Sequence, residues 1–152
     1  MRALAFLIVP ALAWSASVST VPNDADDHAL HASADDLAAI EATAMNYAMS
    51  YYEGDGDRME SALHPHLAKR TIRDGERGQD LSYMSSLELV QIIRTGHGKS
   101  IAEADRQADV QILDVTGDVA TIKLEMLGWI DYMHLAKVND RWQIVNVLWR
   151  RK

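Results

Sequence analysis

Asp131 is the residue best suited by its setting to proton chemistry, because it lies in the apolar run "GWIDYMHL" (residues 128–135). Apolar surroundings favour the protonated carboxyl and suit a general acid–base group. His134, three residues on, is the second catalytic candidate. On a strand, Asp131, Met133 and Leu135 would share one face and Tyr132 and His134 the other. Only one of the two candidates can therefore enter a given cavity.

A second set of residues could hold a ligand without reacting with it. Tyr47 and Tyr51, four apart, stack on one face of a helix. Their rings suit a core, while their hydroxyls need partners at a rim or on a ligand. Trp129, Trp142 and Trp149, with Met84, Met126 and Met133, offer surfaces that pack a core or stack on a flat heterocycle, and composition does not separate these uses. Tyr83, Tyr132 and His64 complete the candidate ligand-binding set, with Tyr47, Tyr51, Trp129 and Trp149.

His64 and His66 flank Pro65 in "LHPHLAKR" (residues 63–70), and the chain has only six histidines. Two apart on a strand, both imidazoles could meet one ion. A third ligand, from Asp131 or His134, would need help from the fold that no spacing guarantees, so no metal is assigned. The favoured reading is a rigid corner beside a cavity. "RTGHGKS" (residues 94–100) contains Gly-x-Gly and a lysine but lacks the full phosphate-loop pattern and a preceding strand. No cofactor is assigned.

The elements that must position these side chains are legible in periodicity. From Leu37 to Glu53, apolar residues recur at helical spacing, Ser33 and Asp36 resemble a capping box, and Gly54 is placed to end the helix. Asp57 and Glu60 repeat the capping pattern for a short helix to about Leu63, which Pro65 stops. Leu67 to Ile72 reads as a short strand, "RDGERGQD" (residues 73–80) as a polar loop, and Ser85 to Arg94 as a third helix closing at Gly96. The period then changes to two over 108–115, 119–129, 131–138 and 141–149, with turn signals at Thr116–Asp118, near Gly128 and at Asn139–Asp140. Helices followed by strands on short turns predict an α+β domain, an antiparallel sheet with helices on one face. The last strand alternates Trp142 and Ile144 with Val145, Val147 and Trp149. It reads as apolar on both faces, and a second copy of the chain could cover the outer one.

The wording "YYEGDGDRMESALHPHLAKR", "LSYMSSLELV" and "GWIDYMHLAKVNDRWQIVNVLW", in this order, resembles the nuclear-transport-factor-2-like superfamily and its "putative lumazine-binding" branch, over roughly residues 36–150. The resemblance implies a strongly curved sheet wrapped around the helices as a cone, with an apolar pocket at its open end bordered by the first helix. Such folds include isomerases, dehydratases, cyclases, hydrolases and binding modules, so the resemblance implies the fold and leaves the activity open. Asp131 with Tyr47 or Tyr51 would be similar to a ketosteroid-isomerase arrangement. Tyr132 with His134 would be similar to a dehydratase pair. The branch name implies a pteridine-like ligand.

Composition bounds the rest. At 152 residues and 48% apolar content there is room for one core. Arg2, the apolar run Ala3–Trp14 and the small residues after it read as a signal peptide over residues 1–19. The run is interrupted by Pro10 and falls short of the roughly 20 residues that span a bilayer. An acidic tether (residues 20–35, with His28 and His31) then leads to the domain (residues 36–152). The expectation is an exported protein, periplasmic or secreted, with no membrane attachment once the leader is removed. Zero cysteines exclude a disulfide framework and thiol chemistry. A formal charge of −7 with scattered basic residues argues against nucleic acid as a partner. The leading reading is a small-molecule binder that forms a homodimer through its sheet face. The alternatives are a cofactor-independent lyase or isomerase using Asp131 or His134 with a tyrosine, and a partner-binding module.

Overall fold

The structure, a computed structural model, describes residues 32–76 and 78–152. The leader and most of the tether lie outside the described residues. Helix α1 (Ala34–Glu53) begins three residues before the expected Leu37 because Ser33 caps it, accepting a bond from the Asp36 amide at 3.1 Å. Its buried stripe is Ile40, Ala44, Tyr47 and Ala48. Gly54 ends it in the left-handed region at φ 64°, where a side chain would be strained. Helix α2 (Gly56–Ala62) is capped by Asp55, whose carboxylate accepts from the Asp57 and Arg58 amides, and not by Asp57 as the spacing suggests.

Strand β1 (Leu63–Gly75) follows directly and pairs with β2 (Gly78–Ser85) in a hairpin that closes at Gly75 opposite Gly78. The expected polar loop is thus the tip of a hairpin. Its outer residues face water at a sheet edge, so polar side chains are compatible with the strand. Helix α3 (Ser86–Arg94) opens on a complete capping box between Ser85 and Glu88. Two 3₁₀ turns, His97–Ser100 and Glu103–Asp105, lead to β3 (Ala108–Thr116), β4 (Val119–Met126), β5 (Trp129–Val138) and β6 (Arg141–Arg151). Asn139 and Asp140, at φ 50° and 60°, form the two-residue turn between β5 and β6. Among the described residues, no helix is long and apolar enough to cross a membrane.

The six strands form one open, curved sheet in the order β2-β1-β6-β5-β4-β3. The pairing of β1 with β6 is parallel and the others are antiparallel, so the sheet is mixed where an antiparallel one was expected. The helices cover its concave face, and the domain is α+β. Their ends are fastened to the strands: Asp36 accepts from Lys137 Nζ and Trp142 Nε1, each at 2.8 Å, and Tyr52 donates to the Gln107 carbonyl at 2.6 Å.

Strand β6 corrects a second expectation. Its register against β5 shifts between His134 and Leu135, whose partners are Asn146 and Ile144, so Val145 is an extra residue in the ladder. Such a bulge reverses the alternation. Trp142, Ile144 and Val147 are therefore all buried, and Trp149 lines the interior with them. The strand is apolar mainly on one face.

Candidate functional site

A cavity of about 250 Å³ opens between α1, α3 and the concave face of the sheet. Helix α1 contributes Tyr47 and Tyr51, and α3 contributes Leu89, Ile92 and Ile93. Met59 and Met126 close the inner walls, and the sheet adds Lys69, Met84, Trp129 and Trp149. Arg73, Arg151 and His97 also line it, and Arg73, Trp149 and Arg151 continue into a wider groove along the strand ends. The aromatic wall is ordered by edge-to-face contacts: Tyr51 to Trp129 at 5.3 Å and Trp129 to Trp149 at 6.2 Å between centroids.

The polar floor is built around Lys69. In β1, Leu67, Lys69, Thr71 and Arg73 alternate onto the concave side, which places a lysine beside core residues. Its Nζ donates to Asp131 Oδ1 and to the Tyr47 hydroxyl, each at 2.7 Å, and lies 5.0 Å from the Trp149 ring centroid. Lys69 is 7% exposed and Asp131 is 1%. Asp131 comes from β5, and β6 separates it from β1, so the two side chains and the bond between them together bridge two strand spacings, roughly 9–10 Å. Burial pushes the Lys69 amine below its ordinary value, opposed by the Asp131 charge. Burial, and then the Asp131 charge, push the Tyr47 phenol well up, so Tyr47 keeps its proton. Oδ2 of Asp131 is buried and has no hydrogen-bond partner among the described residues.

Of the residues expected at a site, Tyr47, Tyr51, Trp129 and Trp149 converge on the cavity. Asp131 faces the interior but sits behind Lys69 and is not part of the cavity wall. The remaining candidates lie outside the cavity wall. Tyr132 and His134, facing away from Asp131, are exposed on the convex side, where His134 Nδ1 lies 3.2 Å from Asn146 Nδ2. Tyr83 pairs with Arg70 across the hairpin and stacks with its guanidinium on that same outer side. His64 is half-buried away from the cavity and accepts a bond from the His66 amide at 3.1 Å. His64, Pro65 and His66 lie within β1 just after α2, and neither imidazole lines the cavity. Among the described residues, no three His, Asp or Glu side chains converge as a metal set would require.

Among the site residues absent from the sequence expectations, which include Arg73, His97 and Arg151, Lys69 is the one at the cavity floor. The available signal was its position two residues after Leu67, which puts it on the buried side of any strand there.

Three helices packed on one face of a curved six-stranded sheet, with a cavity between them, define a nuclear-transport-factor-2-like fold. Solved structures agree. An NTF-2 like protein of unknown function from Silicibacter pomeroyi aligns at TM-score 0.61 and 19% identity, covering 78% of this chain and 97% of that one. An NTF2-like protein of unknown function from Methylobacillus flagellatus aligns at 0.56 and 22%, covering 81% and 97%. A ketosteroid isomerase-like protein from Erwinia carotovora atroseptica aligns at 0.52 and 13%, covering 78% and 98%. At these identities the likeness concerns the fold. Residues 35–150 match the family described as "Putative lumazine-binding", and the chain belongs to that family. No curated protein matches it in sequence.

Proposed function

We propose that this chain is an exported protein that binds a small planar or hydrophobic organic molecule in the cavity between α1 and the sheet. The observation that carries the reading is the cavity itself: aromatic and thioether walls, open at one end, with a few convergent polar groups. The family name points the same way. Export rests on the leader-like residues 1–19. A thermal-shift screen of the domain from residue 32 onward, against pteridines, flavins, steroids and aromatic acids, tests it. A ligand at 100 times its Kd adds about 2.7 kcal/mol, roughly a 10 °C rise in Tm. No rise with any class would refute the reading.

The Lys69–Asp131–Tyr47 cluster favours a second reading, a cofactor-independent lyase or isomerase. Lys69 would then be the group facing the substrate, and Asp131 would hold and polarise it. A homodimer through the sheet face is supported by an apolar stripe on the convex side. Tyr132 pairs with Leu148 and Ile72 with Leu81 across neighbouring strands, and all four are roughly half exposed or more. Sedimentation of the wild type against Leu148→Glu distinguishes a dimer from a monomer.

A further inference from the structure

The polar groups of the cavity are unevenly distributed, and their distribution specifies more than a flat hydrophobe. At the inner end, Lys69 Nζ carries three N–H donors, of which one goes to Asp131 and one to Tyr47. The Tyr47 oxygen accepts that bond, and its own proton has no acceptor among the described residues. Two donors are thus left for a ligand. The Lys69 charge is matched by that of Asp131, so the inner end is rich in donors yet electrically balanced. A neutral carbonyl oxygen satisfies such a pair. A carboxylate placed there would sit beside Asp131 and be repelled.

The outer end has the opposite character. Arg73 lies four residues beyond Lys69 on β1, and Arg151 two beyond Trp149 on β6. Both line the cavity, and among the described residues neither has a carboxylate at salt-bridging distance. Asp80 lies across from Arg73 in the hairpin register, but its carboxylate accepts from the Leu81 amide. Two unpaired guanidiniums at a cavity mouth, in a chain of net charge −7, make a local anion site on an acidic protein.

We propose that the cavity takes a planar one- or two-ring organic acid, its carbonyl oxygen against Lys69 and Tyr47 and its carboxylate between Arg73 and Arg151. This rests on the small-molecule reading above and names the ligand class. The size fits: a dry cavity of roughly 150 Å³ accepts benzene, and this one measures about 250 Å³. The span fits as well. Four residues of strand separate Lys69 from Arg73 by roughly 13 Å, which the arginine stem shortens toward the length of a two-ring acid.

The test is calorimetric titration of the domain with 6-acetyl-2-naphthoate, its methyl ester, 6-ethyl-2-naphthoate and uncharged 2-acetylnaphthalene. The keto acid binds best. Removing either the charge or the ketone weakens binding about tenfold, the worth of one charge-assisted hydrogen bond. Arg73→Gln combined with Arg151→Gln brings the acid down to the affinity of the ester and leaves the ester unchanged. Both substitutions are at exposed positions, so the fold is retained. Tyr47→Phe weakens the acetyl compounds and leaves the ethyl acid unchanged. Added salt weakens the acid alone. An ester that binds as tightly as the acid, or an acid indifferent to loss of both arginines, overturns the proposal while leaving a small-molecule pocket in place. If none of the four compounds binds and the wider panel also fails, both readings fall.

Discussion

Lys69→Met, Asp131→Leu and the double variant together test whether the floor of the cavity is a paired, desolvated unit. The two side chains are 2.7 Å apart, with side-chain exposures of 9% and 1%. Unit charges at about 4 Å attract by about 4 kcal/mol at an effective dielectric constant of 20. Removing one member strands the other in an apolar surround, and such losses run about 3–5 kcal/mol. Replacing both with apolar residues removes the stranded charge, and the double variant should lie within about 2 kcal/mol of wild type. In urea, with m near 1.5 kcal/mol/M, each single change should lower the midpoint by about 2 M or more at constant m. Single losses below about 1 kcal/mol, or a double loss equal to the sum of the singles, would show that water reaches the pair and that the cavity floor is wet.

The other predictions concern the supports of the site. Bonds from Lys137, Trp142 and Ser33 hold the Asp36 carboxyl down to about 2. Its contribution is therefore complete above about pH 4 and lost as pH falls toward 2. The Tm difference between wild type and Asp36→Asn should be widest at pH 5–7 and close by pH 2, and a pH-independent difference would contradict this. Gly98→Ala should cost about 1–3 kcal/mol, because an added Cβ would collide with the Tyr51 backbone. The same variant should weaken ligand binding by moving Tyr51 and His97, as a titration would show. Tyr132→Ala and His134→Ala, on the convex face, should leave ligand affinity within twofold of wild type, and a large loss from either would place the site elsewhere.

Helix starts and tight turns were legible because short-range chemistry sets them. Ser33 and Ser85 each need only an amide three residues on, and Asn139–Asp140 need only tolerate positive φ. The aromatic half of the site was legible too, since Tyr47 and Tyr51 sit one helical turn apart. Strand β2 was obscured because its exposed edge allows the polar composition of a loop. The expected two-sided β6 failed at a single bulge, which no alternation rule predicts.

Alternation along "GWIDYMHL" determined that Asp131 and His134 must part company, because successive strand residues point to opposite faces. Only the tertiary structure decided which of them went inside, since that depends on the direction in which the sheet curves around the helices. It also brought Lys69 to Asp131 across 62 positions of chain, through the parallel pairing of β1 with β6. Strand pairing between distant segments is settled by the closing of the whole core, and neither residue carries a local trace of its partner.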